Sequence, residues 1–283
     1  MNTVKYIIYS DLDGTLLDHY SYQATAAAQT LEHLAVADIP VILNTSKTFA
    51  EVQIIHHTLG LASPFIIENG AAVYIPTNTF AQQPAGTILI DNYWVKSFCR
   101  PIEYWLALLS DQASEYSAYF QGFSSLSDAE IVAITGLTLK EAAQAKQRQY
   151  GEPLRWLGDD LTKKSFVDHM LDLGANVVQG GRFLHVGDFC DKGQALHWLT
   201  EQYQEDYQKH FDNPSVCTIA LGDGENDTAM LEAADIAIQV KSPAHDYPSL
   251  SRQKITIQTS LYGPEGWSEA IDELLSTQLK PET

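Results

Sequence analysis

The feature that most restricts this chain is the rhythm of residues 1–75, where short apolar runs alternate with helical periods and every run stops at a polar cluster. Residues 6–9 end at Ser10 and Asp11, residues 41–43 end at Asn44, Thr45 and Ser46, and residues 65–67 end at Glu68, Asn69 and Gly70. Between them, Leu31, Leu34 and Ala35, and then Val52, Ile55 and Leu59, recur at helical spacing. Pro40 breaks the first of these helices, and Gly60 suits the position after the end of the second. Residues 72–75 are placed to fold back on the third run through the Asn69-Gly70 turn. Strand, helix, strand, helix, strand predicts a parallel sheet in an α/β domain. Its polar clusters then lie along the carboxyl edge, where such sheets bind ligands.

The rhythm is lost in the middle of the chain. Residues 76–86 carry prolines, glutamines, threonines and a glycine and read as a linker. Over 87–185, expected helices (103–112, 127–134, 139–149, 162–173) mix with expected strands (87–90, 154–156, 177–179, 182–186), which is α+β order. The α/β pattern resumes after Asp188, with a helix over 192–207 and a strand over 216–221 that runs into Gly222-Asp223-Gly224. A helix over 227–234, strands at 236–240 and 255–257 and a closing helix at 265–275 follow. The expected organisation is one α/β core, residues 1–84 and 188–283, split by an α+β insert at 85–187.

Charge narrows the function. Lys plus Arg number 17 against 36 Asp plus Glu, a formal charge of −19. Such a chain is ill suited to grip a nucleic-acid backbone or an anionic lipid surface. Its three cysteines, Cys99, Cys190 and Cys217, form no C-x-x-C pair, which argues against a disulfide framework or a cysteine zinc site. No signal-peptide pattern opens the sequence and no apolar run approaches the length of a membrane span. The expectation is a cytoplasmic protein that acts on a small molecule.

Two acidic clusters carry the chemistry. Asp11-Leu12-Asp13-Gly14-Thr15 follows the first strand directly; Asp-Gly is also an ordinary turn. A carboxylate at a strand tip can attack phosphorus, and a second carboxyl two residues on can protonate the leaving oxygen and then take a proton from water. Gly222-Asp223-Gly224-Glu225-Asn226-Asp227 ends a second strand, and acidic residues there also suit a helix start. If both strands share a sheet edge, the two clusters make an oxygen-rich site suited to Mg²⁺. Thr45 and Ser46 add hydroxyls at a strand end, and Lys192 adds a cation opening a helix. Phosphoryl transfer asks for these parts: nucleophile, metal, hydroxyl donor and cation.

The order of these motifs resembles the haloacid dehalogenase superfamily of phosphatases, in the subclass with a large α+β cap inserted between the hydroxyl and the lysine. The resemblance implies a Rossmann-like core, Asp11 as nucleophile and Asp13 as acid/base. It also implies Thr45 as the hydroxyl of the second motif, with Ser46 one residue away, Lys192 as the lysine of the third, and Asp11, Asp13, Asp223 and Asp227 around Mg²⁺. Asn44-Thr45-Ser46-Lys47-Thr48, Pro64 through Gly70, Arg148 through Pro153 and Gly180-Gly181-Arg182-Phe183 resemble the mannosyl-3-phosphoglycerate phosphatase family within that superfamily. By that likeness Ser46, Lys47, Glu68, Asn69, Gly70 and Asn226 on the core motifs, with Arg148, Glu152, Gly181 and Arg182 in the cap, are the expected substrate contacts. Arginine suits the glycerate carboxylate of such a substrate. Other phosphorylated sugars or glycosyl-glycerates, a phosphomutase using the same aspartyl-phosphate, and a non-catalytic phosphosugar sensor fit the same pattern.

Overall fold

The structure, a computed structural model, describes residues 4–180 and 182–278. In chain order the elements are β1 (Val4–Ser10), α1 (Ala28–Val36), β2 (Val41–Asn44), α2 (Phe49–Thr58), β3 (Phe65–Ile67), β4 (Ala72–Pro76), β5 (Ile88–Ile90) and β6 (Tyr93–Ser97). Next come α3 (Ile102–Gln112), β7 (Phe120–Gly122), α4 (Asp128–Thr135), α5 (Leu139–Ala145), β8 (Glu152–Trp156), α6 (Asp160–Asp172), β9 (Asn176–Gly180) and β10 (Phe183–Gly187). The chain closes with α7 (Lys192–His210), β11 (Ser215–Gly222), α8 (Thr228–Ala233), β12 (Ile236–Lys241), β13 (Thr256–Tyr262) and α9 (Gly263–Gln278). They form two compact units: the described parts of 1–46, 56–96 and 191–283, and residues 47–55 with 97–190.

The first unit is built on a nine-stranded sheet in the order β13-β12-β11-β1-β2-β3-β4-β6-β5. Its centre is parallel, with β1 running beside β11 from Val4↔Ser215 to Ser10↔Leu221 and beside β2 on its other flank. The amino- and carboxyl-terminal segments thus share one sheet. β2 and β3 are buried throughout, and so are the last four residues of β1, which is why these strands read as unbroken apolar runs. β4 returns antiparallel on β3, with Ile67 opposite Ala72. β5 and β6 lie beyond residue 84 in the chain and belong to this sheet.

Because the chain leaves β1 toward β2 and later returns on the β11 side, the order reverses at β1. Such a reversal opens a crevice at the carboxyl ends of the strands. The tip of β1 is pinned there. Tyr9 Oη lies 2.8 Å from Thr200 Oγ1 on α7, and Trp267 Nε1 on α9 donates to Ser10 Oγ at 3.0 Å. Both aromatic rings are wholly buried, so packing and hydrogen bonding hold the strand end together.

The second unit contains a four-stranded sheet, β7-β8-β10-β9, antiparallel throughout. Trp105, Leu108 and Leu109 of α3 and Phe166 and Met170 of α6 bury one of its faces against Leu154, Leu184 and Val186. Capping boxes at Ser127/Glu130 and Thr138/Glu141 start α4 and α5. The ends of the insert are stapled by Arg100, whose guanidinium stacks near Tyr104 and Trp105 and grips both carboxylate oxygens of Asp188.

Several elements differ from the sequence expectation. The helix expected over 139–149 stops at Ala145, while the helix expected to end at 207 runs on to His210. Strands Tyr93–Ser97 and Phe120–Gly122 are additional. Phe120-Gln121-Gly122 carries no alternation, and only its antiparallel partner β8 makes it a strand.

Candidate active site

Asp11 stands immediately past β1, its N–H still paired to Leu221 O at 2.9 Å, so it extends the ladder to the sheet edge. The chain then turns tightly: Leu17 N–H returns to Leu12 O at 2.8 Å and Gly14 N–H to Leu17 O at 2.9 Å. Gly14 has φ +79°, and a Cβ there would lie 2.5 Å from Asp223 Oδ2. Glycine is therefore needed twice, for the turn and for the approach of the second acidic cluster. Asp13, half-buried, sits on this turn.

Lys192 is the first residue of α7 because Asp191 caps the helix, accepting from Gln194 N–H at 2.8 Å. An ammonium at a helix amino terminus and out of water is doubly unfavourable. Two carboxylates offset this: Nζ lies 2.5 Å from Asp11 Oδ1 and 2.6 Å from Asp227 Oδ1. They hold the Lys192 pKa above its ordinary value against the opposing effect of burial. The lysine is 1% exposed. Asp227 commits its other oxygen as well, accepting from Asp223 N–H and Gly224 N–H at 3.1 and 3.0 Å. Asn44 Nδ2 holds the Lys192 carbonyl at 3.0 Å.

Burial, and then the charge of Asp227, push the Asp11 carboxyl above the usual carboxylate range, while Lys192 pulls it back. Asp223 is raised by the same two causes and eased by the Ser242 hydroxyl. Oxygens of Asp11, Asp223 and Asp227 lie within 4.8 Å of one another. Three buried carboxylates share one ammonium, so a further positive charge among them would favour their ionised forms. A hard divalent cation with oxygen preference fits the donor set and supplies that charge.

The structure brings Asp11, Asp13, Ser46, Asp223 and Asn226 onto one cavity of about 270 Å³. Thr45 is buried at the end of β2, its carbonyl accepting from Asn69 N–H at 2.9 Å. Glu68 is 5% exposed, and Gly70 packs on the Asp191–Lys192 backbone. Lys47 falls in the second unit, 3.9 Å from Glu51. Glu152 is buried and accepts from Ser124 N–H and Oγ at 2.9 and 2.7 Å, which ties it to its own unit. Arg148 is half-buried near Glu152 and His185. Arg182 is exposed and donates to Thr135 O at 3.0 Å. Gly181 lies outside the described residues. His19, Tyr22 and His245 complete the cavity wall, and His245 Nε2 is 3.5 Å from Asp223 Oδ2. Sequence reasoning missed these three, since isolated loop residues with no motif carry no signal of where the chain will bring them.

A sequence profile of the haloacid dehalogenase-like hydrolases matches residues 8–93. A glucosyl-3-phosphoglycerate/mannosyl-3-phosphoglycerate phosphatase of Methanococcoides burtonii is 36% identical over 273 residues, covering 96% of this chain and 98% of that protein. A protein of the same name from Persephonella marina is 32% identical, covering 95% and 97%. Among solved structures, a haloalkanoate-superfamily phosphatase from Bacteroides thetaiotaomicron aligns over 97% of this chain and 95% of its own, with TM-score 0.62 at 16% identity. A HAD subclass IIB sugar phosphatase aligns over 95% and 99%, with TM-score 0.60 at 14% identity. At those identities the two structures speak for the fold alone. A parallel sheet with acidic strand tips gathered round a buried lysine, in a chain that matches these phosphatases over nearly its whole length, is that of a hydrolase of phosphate monoesters. The chain belongs to the haloacid dehalogenase family of such phosphatases.

Proposed function

We propose that this enzyme is a Mg²⁺-dependent phosphatase of glycosyl-3-phosphoglycerates, mannosyl-3-phosphoglycerate foremost, and that it works through an aspartyl-phosphate on Asp11. The observation that carries the chemistry is the bridge from Lys192 to Asp11 and Asp227 beside Asp223. The substrate class is supported by relatives of that name matching nearly the whole chain.

In this reading an Asp11 carboxylate oxygen attacks phosphorus, the oxygen–phosphorus bond forms, and the bond to the glycerate oxygen breaks. Asp13, in its acid form, gives its proton to the departing oxygen; as a carboxylate it then takes one from the water that splits the aspartyl-phosphate. Burial alone would leave Asp11 protonated and unable to attack, and Lys192 favours the ionised form and fixes its direction. The Thr45 hydroxyl, or that of Ser46, donates to a phosphoryl oxygen. Asp11 and Asp223 would hold Mg²⁺, with Asp227 anchoring the lysine and the Asp223 loop; the ion would shield the phosphoryl oxygens from these carboxylates. The second unit selects the organic part of the substrate, with Arg148 and Arg182 as its carboxylate-binding side chains.

The test is phosphate release from mannosyl- and glucosyl-3-phosphoglycerate against a panel of phosphorylated sugars, run in ¹⁸O-water. Preference for a glycosyl-3-phosphoglycerate with one labelled oxygen in the phosphate is the expected result. Transfer of unlabelled phosphoryl to a sugar would make it a mutase, and an indifferent panel would remove the substrate.

A further inference from the structure

The turn of Glu68, Asn69 and Gly70 touches two catalytic loops with its backbone and approaches a third through the Asn69 side chain. All three residues are left-handed, with φ of +49°, +59° and +94°. That region is sterically unfavourable for residues that carry a side chain, so two such residues in succession persist only where their surroundings over-determine them. A Cβ on Gly70 would overlap the Asp191 carbonyl and lie 2.9 Å from Lys192 N. The first turn of α7 therefore rests on a bare Cα. Asn69 donates its N–H to Thr45 O at 2.9 Å, and Asn226 Nδ2 reaches Asn69 Oδ1 at 3.5 Å.

We propose that this turn is the positioning element of the site, and that Gly70 acts through Lys192 by setting where α7 begins; this rests on the catalytic reading of Lys192 above. The lysine backbone is held by Gly70 on one side and by Asn44 on its carbonyl, and its ammonium is held by Asp11 and Asp227. Buried over its whole length, the side chain has no slack to absorb a shift of its Cα. Making room for a methyl on Gly70 requires the Asp191–Lys192 backbone to retreat by roughly 1 Å, and a misplacement of that size costs on the order of 10²-fold in rate. The role belongs to the backbone and needs no contact between these side chains and substrate.

The experiment is a double-mutant cycle of wild type, Gly70→Ala, Lys192→Met and the double variant, read by single-turnover release from p-nitrophenyl phosphate. Gly60→Ala is the control, because Gly60 has φ +65° with nothing within 4 Å and carries only the left-handed penalty. Gly70→Ala should lower kcat by about 10²-fold at nearly constant KM, and Gly60→Ala should turn over as wild type. In the Lys192→Met background Gly70→Ala should cost almost nothing more. A full multiplicative loss in that background, or a loss confined to KM, overturns the proposal while leaving the catalytic lysine in place. Wild-type turnover by Lys192→Met would remove the catalytic reading and the proposal with it. Should Gly70→Ala fail to fold, Asn69→Ala goes through the same cycle, with a smaller loss expected that again vanishes without the lysine.

Discussion

Asp227 offers the most demanding test of how this site is held together. One oxygen meets Lys192 at 2.6 Å and the other accepts two backbone N–H groups. Asp227→Asn keeps the shape but cannot serve both. With its oxygen toward the N–H groups, the amide presents its own N–H₂ to the ammonium; turned over, it presents N–H₂ to two donors. Removing one partner of a buried ion pair costs about 3–5 kcal/mol when the other charge is left alone. Here Asp11 still faces Lys192, so the lower end applies, about 3 kcal/mol, or roughly a hundredfold in the folding equilibrium. The lysine should then fall wholly onto Asp11 and hold the nucleophile back, lowering kcat/KM on the order of 10²-fold. Urea unfolding followed by tryptophan fluorescence, with Trp267 buried in the same unit, reads the first effect, and phosphate release reads the second. Asp227→Ala, which orphans both N–H groups and leaves the ammonium to Asp11 alone, should be at least as destabilised. If Asp227→Asn unfolds within about 0.5 kcal/mol of wild type and turns over normally, the lysine bridge does not organise this site.

Asp11→Asn should abolish turnover with the fold intact, because an amide forms no acyl-phosphate, whereas Asp13→Asn should retain slow turnover, down by about 10²–10⁴-fold; wild-type rates in either would reassign the nucleophile or the acid. EDTA should stop phosphate release and Mg²⁺ restore it, and calorimetric titration should show Mg²⁺ binding that Asp223→Asn weakens. Arg182→Ala should lower kcat/KM for mannosyl-3-phosphoglycerate by the worth of one charged hydrogen bond, about 1.5–3 kcal/mol, and spare p-nitrophenyl phosphate; equal losses on both would place Arg182 outside substrate selection. Burial and then Arg148 hold the His185 pKa down to about 4, below the ordinary 6.5. Between those values the unfolded chain binds a proton that the folded one does not, so stability present at pH 7 is lost as pH falls through this window. His185→Gln should therefore lose less Tm than wild type between pH 7 and 5, and identical losses would refute the assignment.

The strands at Ile7, Val41, Phe65 and Ile219, the turn after Asp11 and the acidic loop after β11 are all legible in the sequence, because each is announced locally. An apolar run long enough for one buried strand, followed by residues that favour turns and helix starts, needs no knowledge of distant neighbours. The same holds for the parallel core, since strand–helix–strand order leaves few alternatives. Tyr93–Ser97 was not legible, because its pairing between β4 and β5 and not its own pattern makes it a strand of the first sheet.

What no local pattern encodes is the set of partners. That Lys192 grips Asp227 as well as Asp11, 35 and 181 residues away in sequence, depends on α7 and the two strand tips meeting at one edge. The left-handed turn at 68–70, packed at Gly70 against the start of α7, is not announced by its residues, since Glu68 by itself prefers other conformations. Glu152 reads in the chain as a residue that could hold a sugar hydroxyl or orient an arginine, and its bond from Ser124 is visible only in the fold. His19 and Tyr22, on the loop after β1, and His245, on the loop after β12, line the cavity only because two loops far apart in sequence converge there. Propensity and turn chemistry act over a few residues, while charge pairing and close packing act through space, and only the folded chain brings residues far apart in sequence within their range.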